Sequence, residues 1–209
     1  MKTLLDIENW PRKEHFHFFR KMDEPFFGVT VDVDCTKAYQ NSKAQNVSFF
    51  MYYLHKTLMA VNAIEALRYR IEDDKIFVYE RIDGSATISR EDGSFGFSLI
   101  EYDPDFEVFS KAALREMERV KNTPGLFTRS FEQDNLIHFS AIPWVNFTAL
   151  THARNFTFAD SCPKISFGKM TIQENGKRVM PMAIFVHHGL ADGFQIGQLV
   201  DCFQEIMNR

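Results

Sequence analysis

Apolar positions along the chain fall into two periods, and the order in which those periods occur indicates the kind of fold. Residues 26–34, Phe-Phe-Gly-Val-Thr-Val-Asp-Val-Asp, alternate with the two-residue period of a half-buried strand. Residues 48–63 are apolar almost all round, which predicts a helix enclosed by other elements. Over 105–121, Phe106, Phe109, Ala113, Met117 and Val120 mark one face of a surface helix, and Thr123-Pro124-Gly125 ends it. Further strands are predicted over 67–79, folded back at Asp73-Asp74, over 85–90, over 93–101 and over 135–143. Residues 164–181 read as a hairpin turning at Asn175-Gly176. Near the start, Asn9-Trp10-Pro11 opens an amphipathic helix that runs to Met22 with Pro11 in its first turn.

The final pattern is the most informative. An apolar run over 180–186 leads into His187-His188-Gly189-Leu190-Ala191-Asp192-Gly193, and Phe194, Ile196, Leu199, Val200, Phe203 and Met207 then follow at helical spacing. This order reads as strand, tight loop, helix. The whole predicts an α/β chain of the α+β two-layer type, a mixed sheet with helices packed mainly on one side. The alternation is too irregular for a doubly wound parallel fold, and no glycine-rich phosphate loop follows a strand. With no internal repeat or linker, residues 1–209 are expected to form one domain.

Composition narrows the function more than the fold. A length of 209 residues is enough for a sizeable core, and 45% hydrophobic with 25% charged residues is ordinary for a globular protein. The 22 phenylalanines stand out, scattered along the chain, and serve either a Phe-rich core or an aromatic-lined pocket. A net charge of −4 argues against nucleic acid as the main partner, since phosphate binding needs a dense basic face. No run approaches the roughly 20 apolar residues of a membrane span. Asp6 and Glu8 break the opening apolar run, so no secretory signal is expected. Cys35, Cys162 and Cys202 are odd in number and widely spaced, which fits a reducing compartment, the cytoplasm by default, and no metal site.

Candidate chemistry concentrates between the last strand and the last helix. Imidazole offers a base near neutral pH without special tuning. Successive strand residues point to opposite faces, so His187 and His188 cannot serve the same small site, and one of them is scaffold. Zinc would need converging nitrogens and a third ligand, which adjacent strand positions do not supply. Asp192 is placed to cap the last helix. Arg12, in the first turn of the first helix, opposes the helix dipole and meets either a carboxylate or solvent.

Several stretches together resemble the type A chloramphenicol acetyltransferases. Their signature His-His-x-x-x-Asp-Gly is matched by residues 187–193, and in looser form it also marks the dihydrolipoyl acyltransferase cores. Three further segments select the former family: Trp10-x-Arg12-Lys13-Glu14-His15-Phe16, the run Ser140-Ala141-Ile142-Pro143-Trp144-Val145-Asn146-Phe147, and Gly168-Lys169 followed by Met180-Pro181. The likeness covers essentially the whole chain. It implies the coenzyme-A-dependent acyltransferase fold and transfer of an acetyl group from acetyl-CoA to a hydroxyl of chloramphenicol without a covalent acyl-enzyme.

By the same resemblance His188 is the general base and Ser140 the hydrogen-bond donor to the oxyanion. Asp192 and Arg12 form an ion pair that supports the site. Phe19, Phe27, Phe95, His152 and Ser166 surround the acceptor, Trp144 and Lys169 contact coenzyme A, and no metal takes part. The resemblance also implies a homotrimer with its sites at subunit interfaces. The chain departs from the family pattern where Phe19 replaces a tyrosine, Ser166 a threonine, His152 a leucine, Ala153 an asparagine and Phe50 a tyrosine. Those departures leave open a different small hydroxyl compound as acceptor, or a silent trimeric ligand-binding homologue.

Overall fold

A computed structural model of the chain describes residues 1–155 and 160–209. Its axis is β10 (Arg178–His187), whose apolar run is buried along most of its length, the pattern expected of a strand covered on both faces. Strand β10 pairs antiparallel with β2 (Phe26–Asp34) from Val179↔Asp34 to His187↔Phe26. On its other side it pairs with β8 (Lys164–Phe167) and the short β9 (Thr171–Ile172). The sheet continues through β7 (Leu136–Ala141) and β5 (Asp83–Ser89) to β6 (Phe95–Phe97), in the order β2-β10-β8-β7-β5-β6. The pairs β8–β7 and β7–β5 are parallel, so the sheet is mixed.

Alternation divides the sheet into two unlike faces. Met182, Ile184 and Val186 of β10, Ile165 and Phe167 of β8, and Ile137 and Phe139 of β7 enter the main core. There they meet α3 (Phe49–Ala63), α4 (Phe106–Asn122) and α5 (Gly193–Met207). The residues between them, Ala183, Phe185, His187, Lys164, Ser166, His138 and Ser140, therefore face the other way, away from α3, α4 and α5.

A second, three-stranded sheet joins β1 (Lys2–Leu4), β4 (Lys75–Tyr79) and β3 (Tyr69–Glu72). Together with α1 (Lys13–Phe19) it encloses a smaller cluster of Phe16, Tyr69, Ile76 and Leu190. Arg70, 2% exposed, holds this sheet to the large one. Its guanidinium donates to the carbonyls of Leu67 (2.9 Å), Tyr69 (2.6 Å), Asp134 (3.0 Å) and Leu136 (2.5 Å). No carboxylate shares the charge in those bonds; four carbonyl dipoles carry it instead.

Most predicted elements are present, and the differences have physical causes. Ser48 precedes α3 in extended backbone without a side-chain cap, Asp105 caps α4, and Asp73 and Asp74 turn with φ of 46° and 66°. The first helix is shorter than expected. It begins after Arg12 and ends at Phe19, since Pro25 disfavours helix at the residue before it and the chain must extend by Phe26. The hairpin turning at Asn175-Gly176 is present, its first arm broken into β9 and β8, which both pair antiparallel with β10. Of residues 93–101, only Phe95–Phe97 form a strand. Helix α2 (Thr36–Ala44) had no counterpart in the pattern. Its sequence is polar, and Asp34 accepting from the Thr36 N–H (2.9 Å) starts it. Among the described residues no helix is long and apolar enough to cross a membrane.

Removing a buried donor that serves four carbonyls strands all of them. Arg70→Met is expected to lower unfolding stability in urea by about 3 kcal/mol or more; a loss below about 1 kcal/mol would show that those carbonyls find other donors.

Candidate active site

The loop 188–192 is shaped by the histidine before it. His187 ends β10, is 4% exposed, and accepts the Gly189 N–H on Nδ1 at 3.1 Å. Its own carbonyl accepts from Leu190 (2.9 Å) and Ala191 (3.1 Å), which closes the turn. Gly189 is needed at this point, because a Cβ there would stand 3.0 Å from the His187 ring. Burial first, and the charge of Arg154 second, push His187 down to about 4, so it is neutral at ordinary pH. Because Nδ1 accepts, its proton sits on Nε2. His187 is the scaffold member of the pair.

His188 is partly exposed. The Phe19 ring lies parallel to its imidazole, 3.9 Å between centroids and 9° between planes, and Phe27 lies at 4.4 Å and 36°. Nδ1 is sealed from solvent without a hydrogen-bond partner, and Nε2 is the ring nitrogen left accessible. The backbone is held as firmly as the ring. The His188 N–H donates to Pro25 at 2.8 Å, and Arg12 Nη2 donates to the His188 carbonyl at 3.1 Å.

Arg12 has a second partner, since its Nη1 donates to Asp192 Oδ2. Asp192 in turn caps α5, accepting the Phe194 N–H at 2.9 Å, while its own N–H donates to Gln195 Oε1 at 2.9 Å. Burial raises the Asp192 carboxyl, but the Arg12 hydrogen bond and charge with the Phe194 N–H outweigh it, and the net position is below the usual range. The cation at the start of α1 is thus answered by a carboxylate, and one guanidinium ties the first helix to both ends of the loop.

Ser140 lies on β7, two strands from β10. On the ladder it stands beside Ser166, which stands beside Ala183, whereas His188 comes five residues after Ala183, one past the end of β10. Two strand spacings of about 4.8 Å and five rises of about 3.3 Å separate them by roughly 19 Å. Near Ser140 stand exposed Trp144 and Lys169, brought together as the Lys169 N–H donates to Val145 at 2.8 Å. His152 Nε2 lies 3.4 Å from Ser166 Oγ. At the adjoining edge Phe95, Phe97, Phe127 and Phe131 contact one another ring to ring, with Phe127 68% exposed.

The structure therefore brings the expected site residues together in two groups. His188, Phe19, Phe27, Arg12 and Asp192 form one; Ser140, Ser166, His152, Trp144 and Lys169 form the other, and Phe95 stands with Phe97 on β6. Phe19 and Phe27 meet the His188 ring, whereas Phe95 meets Phe97. Phe97, Phe127 and Phe131 were not singled out from the sequence. The available signal was the pair Leu126-Phe127 following a helix stop, two large apolar residues where a turn favours polar ones. Among the described residues no group of three or more His, Cys, Asp or Glu could hold a metal ion.

A family model described as chloramphenicol acetyltransferase matches residues 1–204. The chain belongs to the chloramphenicol acetyltransferase family. It is 31% identical to "Chloramphenicol acetyltransferase 3" of Escherichia coli over 99% of this chain and 97% of that protein. It is 28% identical to the chloramphenicol acetyltransferase of Bacillus pumilus, over 93% of this chain and 88% of the other. A solved chloramphenicol acetyltransferase superposes with a TM-score of 0.89 at 33% identity, covering 99% of this chain and 100% of its own. The dihydrolipoamide acetyltransferase of Azotobacter vinelandii shares the fold, with a TM-score of 0.68 at 11% identity over 93% and 86% of the two chains. The chain is an acyltransferase by family.

Arg12→Ala removes charged hydrogen bonds worth about 1.5–3 kcal/mol each and frees the loop carrying His188. Lower stability and lower turnover are both expected. Because the Asp192 pKa is depressed in the folded state, its contribution is present above the unfolded carboxylate value and is lost as pH falls through the folded one. The stability gap between wild type and Arg12→Ala, followed by urea unfolding, should narrow below about pH 3.9, leaving the part carried by the His188 carbonyl. A gap that stayed constant into strong acid would show that the pair contributes nothing to folding.

Proposed function

We propose that this chain is an acetyl-CoA-dependent O-acetyltransferase acting on a hydroxyl of chloramphenicol, and so inactivating the antibiotic, as a cytoplasmic homotrimer whose sites are completed between copies. The observation that carries the proposal is the imidazole of His188, with one ring nitrogen accessible and its orientation held by Phe19, Phe27 and Arg12.

In this reading His188 Nε2 takes the proton of the acceptor hydroxyl as its oxygen bonds to the thioester carbonyl carbon. The carbonyl π pair moves to oxygen, and Ser140 donates a hydrogen bond to the charge that forms there. As the tetrahedral species collapses, the carbon–sulfur bond breaks and His188 returns the proton to the sulfur. The proton count closes and no covalent acyl-enzyme is needed. While the ring is charged, the faces of Phe19 and Phe27 stabilise it as a cation against aromatic rings.

Trp144 and Lys169 suit the other substrate, since an exposed indole can stack on adenine and an ammonium can meet phosphate. The Phe95 cluster suits an acceptor with an aromatic ring. A distance of roughly 19 Å forbids His188 and Ser140 of one chain from serving the same carbonyl, which supports a site shared between copies. Contact between two different patches is heterologous, and closure into a ring satisfies every site. A trimer is the ring the family resemblance implies.

A thiol-reactive dye follows the reaction. Thiol release is expected only with acetyl-CoA and chloramphenicol together, near-total loss in His188→Ala, and a loss of roughly 10²–10³ in Ser140→Ala. Full activity in His188→Ala would remove the mechanism. Release with another hydroxyl compound but not with chloramphenicol would move the acceptor assignment, and ligand binding without any release would favour a silent homologue.

A further inference from the structure

His152 stands on the sheet face turned away from α3, α4 and α5, in a contact that the roles of Ser140 and His188 leave unused. Its Nε2 lies 3.4 Å from the hydroxyl of Ser166, a fully buried serine directly beside Ser140 on the ladder. Ile165, Phe167 and Phe139 point to the helices, so both serine side chains point away from them, to the same side. Neighbouring Cβ atoms on adjacent strands are about 5 Å apart. One rotamer turn or one water therefore spans the two hydroxyls.

The imidazole of His152 is itself braced. It meets the Phe185 ring edge-on at 4.8 Å and 86°. Phe185 occupies the space where a side chain at position 28 would lie, because a Cβ on Gly28 would come within 2.3 Å of the ring. Burial, and then the charges of Lys164, His138 and Arg154, hold His152 below the ordinary histidine range, so it carries a single N–H at neutral pH.

We propose that His152 is a positioning residue whose Nε2–H donates to Ser166 Oγ and turns the Ser166 proton toward Ser140 and the oxygen on which charge develops. Hydrogen-bond chains polarise their members, so the last hydroxyl becomes a better donor. No bond is made or broken in this chain, and the proton stays on Nε2. The inference rests on the reading of Ser140 as the oxyanion donor.

The full-length enzyme, acetyl-CoA and chloramphenicol test it. His152→Leu keeps the volume and removes the donor. It should lower kcat about tenfold with KM for both substrates and melting temperature little changed, and His152→Gln, which retains an N–H, should recover most of the loss. Ser166→Ala should lose as much, and the double variant no more than either single one. Wild-type kcat in His152→Leu, a change confined to the acceptor KM, or losses that multiply in the double variant would overturn the proposal. Nitrogen-15 NMR of His152 reads the tautomer without any turnover: a proton on Nε2 supports the relay, and a proton on Nδ1 contradicts it. Absence of thiol release from the wild type would count against the acetyltransferase reading and leave that NMR result to decide the relay.

Discussion

The register of one strand constrains everything else in this molecule. Strand β10 is locked to β2 over most of its length on one side and to β8 on the other, and a slip of one residue would exchange Ile184 and Val186 in the core for Phe185 and His187. With the register set, His188 emerges just past one end of the strand and Ser140 sits level with Ala183, two strands away. The two groups proposed to act on one carbonyl are therefore kept apart by the same hydrogen bonds that build the sheet. No loop movement brings them together without unmaking the core. In the proposed enzyme, the fold works by presenting each half of the chemistry on a different inner strand and leaving a second copy to complete it.

Around His188 the structure divides labour between neighbours. His187 spends its imidazole on the turn, held neutral by burial, while His188 keeps one nitrogen accessible. An exposed ion pair contributes little to stability, about 0–1 kcal/mol. The Arg12–Asp192 pair differs because Arg12 also holds the His188 carbonyl and Asp192 also caps α5. Its worth lies in fixing where three elements meet, and the α1 contact brings Phe19 onto the imidazole face.

Much of the fold was legible in the sequence because its strands and helices keep clean periods. Residues 26–34 alternate, and 49–63 are apolar all round, and both form the expected element. Helix α2 escaped because its polar sequence draws its order from Asp34 and from burial of Ala38 and Ser42, which are tertiary facts. The hairpin at Gly176 is present as read, with β9 and β8 both antiparallel to β10; the break between its two paired segments carries no sequence signal. At the site, Asp192 as a cap follows from local chemistry, and its contact with Arg12 follows from the family signature. Sites at subunit interfaces follow from the family resemblance, whereas motif spacing by itself carries no distances across a sheet. His152 looked like a change in an apolar wall; only its contact with Ser166 gives it chemistry.

The central claim is that each site takes His188 from one copy and Ser140 from another. Co-refolding inactive His188→Ala chains with impaired Ser140→Ala chains measures this directly. Random mixing into closed rings leaves about one site in four with both groups intact, so thiol release should rise to about a quarter of the wild-type rate, far above either variant alone. A mixture no more active than the average of the two separate variants would contradict the account, because it would mean that both groups act within a single chain.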